Sequence, residues 1–184
     1  MYGEMLLIKA PLVCELLVET FAFLRVGVSL TSGDELIEAA FHSNCGGQTV
    51  NSEDAWTQHR SYLRGVRDTF CIAGRNFSWE KTINKSKWLN YLDSKYSYPV
   101  GDSEERAAAL GFSQPDRLVY YCGREDIPLK LIRKDWKLSS GFFSLTDRGE
   151  QLVLKGRGYG HGVGLCQQGA MEMAKAGLNY KKML

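Results

Sequence analysis

The sequence has no long apolar run free of charge, no large excess of charge of either sign, no Cys-x-x-Cys pair, no internal repeat and no low-complexity tract. Each absence removes a class of protein. The longest apolar stretch, Met5 to Leu24, is interrupted by Lys9, Glu15 and Glu19, so it does not read as a membrane span. It also lacks a basic start and a small-residue cleavage site, and no export signal is expected within this chain. The 23 basic and 21 acidic residues leave a net charge of +2. That balance offers no electrostatic case for nucleic acid or an anionic membrane as partner. An uncharged ligand such as a glycan is compatible with it. Cys14, Cys45, Cys71, Cys122 and Cys166 are odd in number and irregular in spacing, which is no disulfide framework and no zinc-knuckle pattern.

What is present fits one soluble globular domain: 184 residues, 44% of them apolar. Val26–Leu30 and Glu35–Phe41 read as strands, with Thr31-Ser32-Gly33-Asp34 as turn chemistry between them. Residues 43–78 are rich in Gly, Asn, Ser and Arg, which predicts a long ordered loop of the kind that carries function. A strand is expected over Trp79–Ile83. A helix capped by Asn84 or Ser86 should run through Tyr91, and one capped by Asp102-Ser103 should run to Leu110 with Gly111 as its stop. Leu118–Cys122 reads as a strand, and Ile127–Trp136 as a helix capped by Asp126. A hairpin is expected from Phe142–Thr146 and Gln151–Leu154, turning across Asp147-Arg148-Gly149. The last element should be a helix over Gly162–Ala176, stopped by Gly177, with Leu165, Cys166 and Met173 packing from it. Trp79, Trp88 and Trp136 read as core. Strands mixed with helices that do not alternate regularly with them give an α+β class.

The most informative stretch is Gly156-Arg-Gly-Tyr-Gly-His-Gly-Val-Gly164, with five glycines at alternate positions. So flexible a chain costs folding entropy and is tolerated where backbone must approach a ligand or another segment closely. It is not a phosphate-binding loop, because no Gly-Lys-Ser or Gly-Lys-Thr follows. It is not a dinucleotide fingerprint, because the βαβ context is missing.

Gly158-Tyr159-Gly160-His161-Gly162-Val163-Gly164, followed by Gln167, Gly169, Ala170, Met173, Ala174, Gly177 and Tyr180, resembles the C-terminal signature of the SpoIID/LytB family. A second block runs from Ala39-Ala40-Phe41-His42-Ser43-Asn44-Cys45-Gly46-Gly47-Gln48-Thr49 through Asn51, Ser52, Glu53 and Trp56 to Tyr62-Leu63 and Val66-Arg67-Asp68. It resembles the family's Ser-Gly-Gly segment and its Tyr-Leu continuation. The match is strongest over residues 35–184 of a domain taken as 1–184. The family pattern is longer, so a single domain truncated at both ends is expected.

The resemblance implies an α+β fold around a glycan-binding cleft and a peptidoglycan lytic transglycosylase, active in cell-wall remodelling or sporulation. Such an enzyme cuts between N-acetylmuramic acid and N-acetylglucosamine and leaves a 1,6-anhydro end. The alternative it implies is a non-catalytic peptidoglycan-binding module or an enhancer of a wall amidase. Glycan strands and a wall amidase are then the expected partners, and the cell wall or cell surface the expected, extracytoplasmic place. The reaction needs one carboxyl acting as acid and then as base, where ordinary glycosidases set two across the bond. Its pKa must be raised by burial. Gly3-Glu4-Met5 matches the family's Glu-Met motif, which makes Glu4 the candidate acid. Substrate contacts are expected from Ser43, Gly46, Gly47, Gln48, Tyr62, Tyr159, His161 and Gln167, with Glu53, Asp54 and Trp56 as further lining. No cofactor is required. Some family members hold zinc near the second block, which suggests His42, Cys45 and Cys71 as ligands. A Cys45–Cys71 disulfide or free thiols rank ahead of zinc, because the ligand spacing is not diagnostic.

Overall fold

A computed structural model describes residues 30–56 and 58–183 of the chain. The expectations for Glu4, Cys14, the Met5–Leu24 stretch and the strand beginning at Val26 lie outside these residues. The fold is α+β, as its sequence suggests. In chain order it runs β1 (Thr31–Ser32), β2 (Glu35–Leu36), β3 (Phe41–His42), α1 (Ser52–Ala55), β4 (Ser78–Asn84), α2 (Lys85–Tyr96), α3 (Ser103–Leu110), α4 (Leu129–Asp135), β5 (Phe143–Arg148), β6 (Gln151–Arg157), β7 (Leu165–Cys166), α5 (Gln167–Lys175) and α6 (Tyr180–Met183). None of the described helices is long and apolar enough to cross a membrane.

The main sheet is antiparallel, with strand order β4-β6-β5. Along β6 every second residue turns inward, so Leu152 and Leu154 are fully buried while Gln151 and Lys155 face out. The β5–β6 turn is Gly149-Glu150 rather than residues 147–149, because Arg148 already pairs with Gln151. Gly149 has φ +73°, which a two-residue hairpin turn demands and glycine adopts without strain.

Against the sheet pack α2, α3 and α4. Trp88, Leu89 and Leu92 form the buried side of α2, and Ala109, Leu129 and Ile132 come from the other two helices. Trp88 is the centre: its indole N–H donates to the Tyr121 hydroxyl at 3.2 Å, and its ring meets Trp136 and Phe143. Two caps fall where the sequence puts them. Asn84 accepts from the Lys87 amide, and Asp102 accepts from those of Glu104 and Glu105. α2 runs on to Tyr96, one turn past expectation, and ends at Ser97 in the left-handed region.

Five expected elements differ. Thr31–Ser32 and Glu35–Leu36 are the arms of a small hairpin around Gly33-Asp34, so the first turn is shorter than four residues. The strand expected over Glu35–Phe41 is divided, since its end leaves β1 and pairs with β7 instead. Leu118–Cys122 is not a strand: Cys122 has φ +50°, and the bridge from Tyr120 meets Pro128, which has no N–H to continue a ladder. The following helix starts only at Leu129, and Asp126 is held by Arg124 at 3.2 Å rather than capping it. The last helix starts at Gln167, not Gly162, because Gly162 and Gly164 sit at φ +86° and +71°, outside the right-handed helical region.

Candidate functional site

The two sequence blocks meet. β3 and β7 pair in parallel, Phe41 beside Leu165 and His42 beside Cys166, although they lie more than a hundred residues apart. An antiparallel bridge joins Asn44 to Tyr159, with N···O distances of 3.2 and 2.8 Å. Along the glycine run, Gly158 N–H donates to Phe77 O, Gly160 N–H to Ser139 O and Leu165 N–H to Ala40 O, while Gly162 O accepts from Val50 N–H. One short segment thus satisfies its backbone on five residues from three other stretches of the chain. The glycines are what permit this. A Cβ on Gly158 would lie 2.7 Å from Asn44 O, and one on Gly164 would lie 2.3 Å from Ala40 O. The close approach is protein on protein.

Trp79 fixes where the run begins. Its ring covers Gly156, its indole N–H donates to Ser140 Oγ, and Ser140 in turn donates to Arg157 O. Arg117 fixes the middle. Its guanidinium donates to the carbonyls of Cys45, Gln48 and His161 at 3.0–3.3 Å, and its backbone N–H donates to Gln48 Oε1. Burial lowers its pKa to about 10, which leaves it charged near neutrality.

Two histidines lie side by side here, their ring centroids 5.7 Å apart, and the Trp56 ring lies tilted against that of His161 at 5.3 Å between centroids. His42 is 4% exposed, and burial lowers its pKa to about 4, so it is neutral at pH 7. Its Nδ1–H donates to Val163 O at 3.1 Å, which makes Nε2 an acceptor, and that atom is buried without a partner. His161 has the other tautomer: its Nδ1 accepts from Val163 N–H. Burial lowers its pKa as well.

The remaining expected contact residues divide into two groups. Ser43, Gly46, Gly47 and Gln48 lie with Tyr159 and His161 around Arg117 and the Asn44–Tyr159 bridge. Gly46 and Gly47 have φ of +73° and +99°, and Gly46 presses on the backbone of Arg157. Tyr159 is 53% exposed and presents its ring to solvent. Tyr62 stands elsewhere. Its hydroxyl accepts from Glu38 N–H, and it lines a cavity of about 590 Å³ between the β1–β2 hairpin and residues 59–62, to which the glycine run does not contribute. Gln167 is exposed, and it is Gln168 that reaches the loop, accepting from Asn44 Nδ2 and donating from its backbone to Ser43 O. Glu53 is clamped by both guanidinium nitrogens of Arg64 at 2.7–2.9 Å, which holds its pKa down to about 2.

Beneath the loop, Cys45, Cys71 and Cys166 form a small buried cluster with the ring of Phe77 against it. The sulfurs of Cys45 and Cys71 are 3.3 Å apart and are free thiols. The Asp68 carboxylate lies 3.4 Å from Cys45 Sγ, and the four groups all lie within 4.8 Å of one another. His42 is not among them. Cys166 does not pack from the helix but caps it, its sulfur accepting from Gly169 N–H. Hydrogen bonding to the neighbouring sulfurs pushes the Cys45 thiol up and draws that of Cys71 down. Asn44, Asp68, Arg117, Cys166 and Gln168 carry roles that their sequence positions did not single out. Asp68 and Cys166 stand inside the two blocks, so block membership was the available signal. Arg117 has none, because it lies in an irregular stretch far from both.

No family model matches the chain. Individual relatives do. The chain is 30% identical over 153 residues to stage II sporulation protein D of Bacillus subtilis (strain 168), a match covering 82% of this chain and 43% of that protein. It is 27% identical over 157 residues to the protein of the same name from Bacillus amyloliquefaciens, with the same coverage. It is 26% identical over 157 residues to an uncharacterized protein of Brachyspira hyodysenteriae, covering 82% of this chain and 41% of that one. The chain therefore spans less than half the length of the relatives it matches. Over 82% of its length the chain is similar to stage II sporulation protein D, in line with the resemblance of its two blocks to the SpoIID/LytB family.

Proposed function

We propose that this protein is a peptidoglycan lytic transglycosylase of the cell wall, acting outside the cytoplasm, with glycan strands as substrate. The observation that carries the reading is the joining of the two family blocks into one surface, which sets exposed Tyr159 beside His161, Trp56 and the Ser43–Gln48 loop. An aromatic face next to planar amides and backbone groups suits a sugar, whose ring faces are apolar and whose edges carry paired hydroxyls. A single carboxyl would protonate the glycosidic oxygen. The same group would then take the proton of the muramic acid C6 hydroxyl as that oxygen closes on C1, giving the anhydro end.

Two described carboxylates near this surface are already engaged. Arg64 keeps Glu53 ionised at neutral pH, and buried Asp68 faces the three sulfurs. This supports assigning the proton to Glu4, outside the described residues. Glu4→Gln should abolish anhydro-ended muropeptides, read by mass spectrometry, while leaving sedimentation with purified wall glycan nearly unchanged. Anhydro ends from the Gln variant at the wild-type rate would refute Glu4 as the acid. Wall binding by wild type with no cleavage would refute catalysis and leave the non-catalytic wall module or amidase enhancer.

A further inference from the structure

Three cations approach the surface that carries Tyr159, Trp56 and His161, and no carboxylate among the described residues pairs with any of them. Arg117 and Lys130 are engaged by backbone. Arg117 donates to three carbonyls, and Lys130 Nζ donates to Trp56 O at 2.7 Å. Arg133 is different. It lies half-buried on α4, one turn after Lys130 and on the same side of the helix. Its Nε–H donates to Ser139 O at 3.3 Å, and the same oxygen accepts from Gly160 N–H at 2.9 Å. The guanidinium therefore stands against the Tyr159–Gly160 peptide bond. The pKa of His161 is lowered by burial and then by this charge. The acids that could have neutralised Arg133 are taken. Asp135, two residues along α4, binds Lys95 and the Tyr91 hydroxyl, and Glu53 is clamped by Arg64.

A half-buried cation without a counter-charge is costly to hold, and it attracts an anion more strongly than a fully hydrated one does. We propose that Arg133 binds a carboxylate carried by the glycan, while the exposed Tyr159 ring takes the face of the adjoining sugar. The inference rests on the glycan-binding reading above. N-acetylated sugar rings are neutral, so the acid must come from what muramic acid bears. That is either its own lactyl carboxyl, where no peptide is attached, or a carboxyl of the attached peptide. A guanidinium matches either one, because its planar fork can donate two parallel bonds to one carboxylate. Nε is held by Ser139 O, and no carboxylate among the described residues meets the two terminal nitrogens, which leaves that edge of the fork for the ligand.

Binding of four probes to the full chain, by calorimetry, tests this. They are peptide-free wall glycan, peptide-bearing wall glycan, each of these with its carboxyls chemically reduced to alcohols, and a neutral chitin oligosaccharide as the fourth. Wild type should bind the carboxyl form of one glycan roughly 10- to 100-fold more tightly than its reduced form, the range of a charge-assisted hydrogen bond. The glycan that shows this preference identifies the source of the acid. Arg133→Gln should lose that factor, become indifferent to reduction, and bind the chitin oligosaccharide as wild type does. Arg133→Lys keeps the charge without the fork and should retain part of the preference. Wild type that binds carboxyl and reduced forms equally overturns this inference alone. So does an Arg133→Gln defect of the same size on the chitin oligosaccharide, which would mark a structural role. Wild type that binds none of the probes overturns the glycan reading itself, and this inference with it.

Discussion

Gly158→Ala tests directly whether the glycine run exists for close packing. Gly149→Ala is its internal control. Both positions have positive φ, +82° and +73°, so both variants bear the left-handed penalty of about 1–2 kcal/mol. Both also gain the same small benefit of a less flexible unfolded chain. The surroundings differ. A Cβ at Gly149 meets nothing within 4 Å, whereas one at Gly158 lies 2.7 Å from Asn44 O, 2.8 Å from Gly46 N and 2.9 Å from Cys45 C. These are backbone atoms, and they belong to the same bridge that Tyr159 makes with Asn44, so they cannot swing aside as a side-chain tip would. Overpacking of this kind costs roughly 1–3 kcal/mol beyond the backbone penalty. Gly158→Ala should therefore be less stable than Gly149→Ala by that margin. For a chain of this size the difference corresponds to about 2–12 °C in Tm. Urea unfolding of the two variants with equal m-values measures it without extrapolating in temperature. If the two variants agree within about 0.5 kcal/mol, the usual margin for unrelated sites, the close approach has no energetic content and the reasoning fails.

His42 predicts a pH dependence. Its folded pKa of about 4 lies below the ordinary 6.5, so the unfolded chain takes up a proton that the folded protein refuses. The stability is fully present above pH 6.5 and is lost as pH falls toward 4, by about 2–4 kcal/mol over that window. His42→Asn, whose amide still donates to Val163 O, should flatten this slope in urea titrations at a series of pH values; an unchanged slope would mean that His42 is not the group responsible. Asp102→Ala removes the acceptor for two amides at the start of α3 and should cost about 0.5–2 kcal/mol by the same unfolding measurement. Trp88→Ala opens the centre of the core and should cost about 3–5 kcal/mol, so a loss below 1 kcal/mol would show that the aromatic cluster does not carry the sheet–helix packing.

What could be read from the sequence was of two kinds. Local chemistry was legible where donor and acceptor stand a few residues apart, as at Asn84 and Asp102, or where a glycine must turn, as at Gly149. The glycine run was legible as a place of close approach, and the two blocks as resembling one family. The errors were also local in origin. Gly162 to Cys166 carries enough small and apolar residues to extend a helix pattern backward, but positive φ at Gly162 and Gly164 forbids it. Of the two glutamines at the helix start, Gln168 is the one that reaches the Ser43–Asn44 loop.

Sequence alone determined the α+β class, the caps at Asn84 and Asp102, the β5–β6 hairpin and the resemblance of the two blocks to one family, because each depends on neighbours in the chain or on the order of residue types. Tertiary structure alone decided that the two blocks pair strand to strand, that Arg117 binds three carbonyls from both of them, and that Cys166 joins Cys45 across 121 residues while His42, only three away, does not. Side-chain direction is the physical reason. Within β3 and the turn that follows, neighbouring residues point to different sides, so proximity in sequence separates His42 from the sulfurs while the folded path of the backbone brings distant cysteines together.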